Sequence, residues 1–219
     1  MTALTLPRAR TLAPLAFTPY AVIAVVHLGA KAAGLVDLDH WTKPLLMPAL
    51  AIPVVLLGRR GPIAPLAALL VGVLLSWLGD VTIENLLVGL GFFLLAHVAY
   101  LIAFGSAYRH RLPRWTAVYL AWWIALLVLL APSLGGMLIP VAVYGLALGG
   151  MAAVASRGGL LPTLGGVLFV ASDSLLAVRL FTPLLQDRAS DVLIMALYVA
   201  AQALLVIGLL RGRRARPRG

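Results

Sequence analysis

Eight apolar runs, separated by short stretches that hold most of the charge, divide the 219 residues of this sequence. They lie near 17–36, 42–57, 63–79, 86–104, 115–131, 137–155, 160–182 and 191–210. At a rise of about 1.5 Å per residue, runs of this length cross most of a hydrocarbon layer about 30 Å thick. Lipid offers no hydrogen bonds, so a crossing segment must satisfy its own backbone, and that selects the α-helix. The predicted fold is all-α: a polytopic membrane protein, a bundle of eight transmembrane helices forming a single membrane domain over 1–219. Composition bears on class in the same direction. Charged residues are 11% of the chain and mean hydropathy is +1.05, against roughly 25% charged in a soluble domain. The second and third runs are short, which leaves a tilted or re-entrant element open there, and Pro44, Pro48 and Pro53 should distort the second. The first run contains His27 and Lys31 and no small-residue cleavage pattern, so a retained helix is expected, not a signal peptide.

A net charge of +10 would suggest nucleic acid in a soluble chain. Here thirteen of the seventeen lysines and arginines fall at 8–10, 59–60, 109–114, 157 and 211–218, in alternate gaps between the runs. That pattern is a topology signal: both termini cytoplasmic, in a multi-pass protein of a bacterial inner (plasma) membrane, with no nucleic-acid partner. The basic tail 211–219 also suits anionic lipid. Absence of cysteine excludes disulfides, thiolate metal sites and a cysteine nucleophile. Only His27 and His97 fall within runs, so neither a metal nor another cofactor is expected, and nothing points to an obligate protein partner.

Under this topology all seven acids lie toward the outer side. Asp37, Asp39, Asp187, Arg188 and Asp191 read as solvated loop residues. The others are harder to place, because an ionisable group within a span costs about 2.5–3.5 kcal/mol on insertion scales and usually faces a bundle interior. Lys31 shares a helix face with His27; both it and Lys43, in WTKPLLMP, could snorkel to the interface or enter a pocket. In LGDVTIEN, Asp80 and Glu84 stand four apart at the outer end of the third run. His97 and Tyr100 share a face in FFLLAHVAY. Asp173, within LFVASDSLLAV, is thirteen residues into an apolar run, where a carboxyl pairs with a cation or keeps its proton. Arg179 lies about 120° around the same helix and need not pair with it. Tyr198 and Gln202 share a face of the last helix, and Gly145 and Gly149 form a GxxxG whose ordinary meaning is close helix packing.

These residues describe a polar, acid-containing pocket in the outer half of the bundle. A proton-coupled transporter or binder of a small amphiphile is one class that fits, although no repeat between 1–110 and 111–219 supports it. An intramembrane enzyme suits the inventory better, with a basic group for an anionic head, one protonated carboxyl and a second carboxylate nearby.

WTKPLLMPAL, then LGD, then GLGFFLLAHVAYLIAF, then GGVLFVASDSLLAV, in this order and spacing over roughly residues 20 to 208, resemble the YhhN family of membrane proteins, which includes the mammalian lysoplasmalogenases. The resemblance implies an ether hydrolase that cleaves the sn-1 vinyl ether of lysoplasmalogens, lysophospholipids with an ethanolamine or choline head, to a fatty aldehyde and a glycerophospho head group. It places the polar motif positions at Lys43, Asp80, His97, Tyr100, Ser172 and Asp173. The chemistry asks for such a set. A vinyl ether is hydrolysed by protonating its β-carbon, adding water to the resulting oxocarbenium ion and collapsing the hemiacetal. One carboxyl must donate a proton and another must offset the developing cation. Asp173, expected to be the deeper, is the acid on this reading and Asp80 the carboxylate. His97 and Tyr100 would hold water. Lys43, with Lys31, Arg179, Ser172 and Glu84 around it, would receive the phosphate end, and the surrounding membrane lipid would supply the substrate.

Overall fold

The computed structural model describes residues 8–58 and 62–214. They form eight α-helices: α1 (Arg8–Ala33), α2 (Val36–Leu57), α3 (Ile63–Thr82), α4 (Leu86–Ala107), α5 (Val118–Leu134), α6 (Leu138–Ala155), α7 (Leu160–Phe181) and α8 (Arg188–Arg214). No strand occurs among the described residues. Seven stretches are long and apolar enough to cross a membrane, α5 and α6 counting together as the run Arg114–Gly158. That run folds back at Gly135, whose φ of 49° suits glycine. The fold-back lets Trp123 Nε1 donate to the Ala142 carbonyl at 2.9 Å. This is an all-α, multi-pass membrane protein. The arginines at 59, 60, 216 and 218 that entered the topology argument lie outside the described residues.

Neither α2 nor α3 is short: they have 22 and 20 residues. α2 continues through its three prolines, and one of the gaps they leave is visibly filled. Pro48 has no N–H to give the carbonyl four residues back, so the Pro44 oxygen is orphaned. Trp77 Nε1 on α3 donates to that oxygen at 2.9 Å, which restores the bond and pins α3 to α2.

α8 is the central element. Over half of its apolar stretch is buried, 56%, against 11% for the α5–α6 run. Ala201, Gln202, Leu205, Val206 and Leu209 are wholly enclosed, and a stripe at this spacing continues around one broad face. Small residues let neighbours close on it. A side chain at Gly165 on α7 would strike the backbone of Leu205, and one at Gly166 would strike Ala152 of α6. Gly145 does the same for α5, lying under Trp123, while Gly149 has room for a Cβ in ordinary contact with Trp122 and Tyr119. Tyrosine hydroxyls then tie α8 to its surroundings: Tyr20 of α1 donates to the Val199 carbonyl at 2.8 Å and Tyr108, just past α4, to the Gly208 carbonyl at 3.1 Å. Large apolar side chains such as Val25, Val128, Leu129 and Ile139 remain on the outside, as a surface facing hydrocarbon requires.

Gly165→Val should force α8 from α7 and lower stability by about 1–3 kcal/mol, the usual cost of overpacking. Gly91→Ala, where a Cβ meets nothing within 4 Å, should leave it unchanged or raise it by up to about 1 kcal/mol. Thermal unfolding of both variants in detergent measures the contrast.

Candidate active site

Helices that alternate in direction bring the last turns of α1, α3 and α7 to the same end of the bundle as the first turns of α2, α4, α6 and α8. A chamber of about 170 Å³ lies there. Most of its wall is apolar: Leu86, Leu90 and Phe93 from α4, Leu176, Leu180 and Phe181 from α7. Into this wall project Lys31, Lys43, Asp80, Tyr144, Asp173, Asp191 and Tyr198, from six different helices.

Asp80 and Asp173 therefore face one space, from α3 and α7. Their surroundings differ. Lys43 Nζ stands 4.0 Å from Asp80 Oδ1, and Tyr198 donates to Asp80 Oδ2 at 2.8 Å. Tyr198 is in turn within 3.4 Å of Gln202 Nε2, and the Gln202 amide continues to Ser76 at 3.1 Å and accepts from Tyr100 at 2.7 Å. Asp173 Oδ2 instead accepts from the Tyr144 hydroxyl. His97 Nε2 lies 3.0 Å from that hydroxyl and 3.9 Å from Asp173 Oδ2. Asp173 is the deeper along its helix, eight residues from the end of α7 against two for Asp80 in α3, but the expected order of burial is reversed: the Asp80 side chain is 6% exposed and that of Asp173 11%. Counting residues from the start of a run measures depth along the helix, whereas burial also depends on what the facing helices bring, and Tyr198 and Lys43 close over Asp80.

Several expected members of the site stand elsewhere. Tyr100 is fully buried in the Ser76–Gln202 network and does not line the chamber. His97 sits behind Tyr144 and reaches Asp173 from outside the cavity. Ser172 lines the wall, but its hydroxyl donates to the Ile194 carbonyl at 2.9 Å and so joins α7 to α8. Glu84 is exposed and away from the chamber, because α3 ends at Thr82 and the i, i+4 stacking with Asp80 is never formed; Asn85 caps α4 instead. Arg179 leaves the chamber for the α7–α8 loop, where its Nη1 donates to the carbonyls of Leu185 and Asp187 at 2.7 and 3.1 Å. Leu185, at φ 58°, is turned to present that oxygen.

Two acids expected to be plain loop residues are built in. Lys31 Nζ bridges Asp39 at 3.0 Å and Asp191 at 2.8 Å, joining α1, α2 and α8. Buried His27 completes the group, its Nδ1 lying 2.9 Å from Thr42 Oγ1 and 3.1 Å from Asp39 Oδ1. The sequence reading missed Tyr144 altogether. Its signal was faint: one hydroxyl beside Gly145, in a helix otherwise suited to lipid.

A match to the YhhN family extends over residues 38–209, which includes every polar residue lining the chamber except Lys31. The chain belongs to the YhhN family. Comparison with curated proteins and with solved structures gave no match. In this YhhN protein α1 falls outside the matched region, so Lys31 and His27 reach the site from a part of the chain that the family match leaves uncovered.

Lys31→Met should strand Asp39 and Asp191 and lower stability by about 1–2 kcal/mol, above an isolated exposed pair. Adding Asp191→Asn should recover part of that loss, because the two changes are coupled. Melting midpoints of the single and double variants give the coupling.

Proposed function

We propose that the chamber is the active site of an intramembrane ether hydrolase that cleaves the sn-1 vinyl ether of lysoplasmalogens. The observation that carries the reading is the convergence of Asp80 and Asp173 on one largely apolar space, each with a different partner. Membership of the YhhN family is consistent with it.

The reaction runs as follows. With Lys43 as its counter-ion, Asp80 suits the role of the carboxylate. Asp173 suits the acid: Oδ2 is taken by the Tyr144 hydroxyl, leaving Oδ1 to carry the proton. Transfer to the β-carbon of the vinyl ether breaks the C=C π bond, forms a C–H bond and leaves an oxocarbenium ion. Asp80 stabilises that cation and takes a proton from water as its oxygen bonds to the former vinyl carbon. The hemiacetal then collapses: Asp80 gives its proton to the glycerol oxygen as that C–O bond breaks, and the hemiacetal hydroxyl gives its proton to Asp173 as the C=O bond forms, which yields the fatty aldehyde and the glycerophospho alcohol and restores both carboxyls. Water enters and no oxidant is needed.

Purified protein in detergent should release aldehyde from lysoplasmenyl-ethanolamine and nothing from the saturated ester lysophospholipid. In deuterated water the aldehyde should carry one deuterium on the carbon next to the carbonyl. Asp173→Asn should lower kcat by about 10²–10⁴-fold, the usual contribution of a general acid, and Asp80→Asn should also remove most turnover, with both variants folded. Full activity in both would remove the site assignment. Proton flux into liposomes driven by an amphiphile, without product, would favour a transporter instead.

On this reading α5 and α6 are two of eight crossings in a bacterial inner membrane, with both termini cytoplasmic. Because cysteine is absent, single cysteines can map the loops. One at His110 and one at Gln186, both exposed, should react with a membrane-impermeant reagent from opposite faces.

A further inference from the structure

Beside the chamber lies a second, more open cavity of about 270 Å³, bordered by the end of α1, the start of α2 and the α7–α8 connection. Its character is different. Lys31, Asp39, Arg179, Gln186, Arg188 and Asp191 line it. Lys31 and Asp191 also line the chamber, so their 2.8 Å ion pair stands in the partition between the two spaces.

The carboxylates here are already engaged. Asp39 and Asp191 both serve Lys31. Asp187 caps α8: the Ser190 hydroxyl donates to it at 2.7 Å and the Ser190 N–H at 2.8 Å, and these bonds hold its carboxyl below the usual range. The guanidinium groups have no such partner. Arg179 gives one nitrogen to carbonyl oxygens, and Arg188 rests against Gly34, where any side chain would collide with its guanidinium. Among the described residues, neither arginine forms an ion pair with a carboxylate. Three cations and two carboxylates leave this lining with a net charge of +1, and the two guanidinium groups, Arg188 on the exposed side, are the cations without a carboxylate partner; their planar forks match phosphate oxygens best.

We propose that the polar cavity is a phosphate-anion site anchored by Arg188, with Arg179 beside it, and that it holds the phosphate end of an amphiphile whose chain occupies the chamber across the Lys31–Asp191 pair. The assignment rests on the chamber being a lipid site, and it replaces Lys43, which is engaged with Asp80. A lipid head group and free phosphate share this chemistry; adjacency to the chamber favours the head group.

Three probes separate the cases in calorimetric titrations of the full chain in detergent. They are a saturated 1-O-alkyl lysophospholipid, the matching 1-O-alkylglycerol without phosphate, and inorganic phosphate. The alkyl ether cannot undergo vinyl-ether hydrolysis, so binding is read independently of turnover. Wild type should bind the alkyl lysophospholipid about tenfold more tightly than the alkylglycerol, as one charge-assisted contact allows. Arg188→Gln should erase that preference while leaving alkylglycerol binding intact, and Arg188→Lys, which restores the charge without the fork, should keep part of it. Inorganic phosphate should weaken phospholipid binding to wild type and leave the Gln variant unaffected. An undiminished preference in Arg188→Gln overturns the proposal, as does phosphate binding with no gain for the phospholipid over the alkylglycerol. If Arg188→Gln fails to fold, a Lys variant with the full wild-type preference and no response to phosphate overturns it equally. Absence of aldehyde release alongside the expected binding pattern would sink the hydrolase reading and leave this site standing.

Discussion

Within a hydrocarbon layer only protein can answer a polar group, and the hydrogen bond from Tyr198 to Asp80 is where that constraint is met for the whole bundle. Behind it the Gln202 amide joins α8 to Ser76 of α3 and Tyr100 of α4, so a carboxyl at the end of one helix is secured by three. Leaving such a group unpaired would cost several kcal/mol. The network fixes the rotation of α8, and with it which residues α8 offers to the chamber. Apolar packing alone would constrain that rotation weakly, because lipid competes with protein for every leucine.

The spans were legible because length and hydropathy are sufficient to place a helix in lipid. The carboxyls at Asp80 and Asp173 were legible for the same reason in reverse, since a charge in an apolar run needs an explanation. What could not be read is what each helix finds opposite it. Tyr100 shares a face with His97 on the helical wheel, yet the two go to different partners, Gln202 and Tyr144. Asp39 and Asp191 look like loop acids until α1 supplies Lys31 between them. Arg179 sits in the last turn of α7, and only a connection that bends back at Leu185 draws it out of the chamber. The reversed burial of Asp80 and Asp173 has the same origin: one-dimensional position says nothing of how the facing side chains close.

The site concentrates charge at one end of the bundle, and both of its lysines are held in ion pairs within it. Lys43 answers Asp80, Lys31 answers Asp39 and Asp191, and Ser190 occupies Asp187. Paired charges of this kind are weak evidence for stability, because desolvation offsets much of the attraction. They are better understood as positioning: each fixes where two helix ends stand relative to one another, and so sets the width of the two cavities they border.

α5 buries only Tyr119, Leu130 and Leu134 along its length, and the small apolar pocket it makes with α6 and α7 shares Val141, Tyr144, Asp173 and Ala177 with the chamber. The wall beside Asp173 is thus little more than a tyrosine ring thick, with a loosely embedded helix beyond. On the proposed reading of the chamber as a lipid site, surplus methylenes of an amphiphile held at its polar end can thread past that ring toward the bilayer without being counted. A site of that kind has a ruler for the head of the proposed substrate and none for the tail.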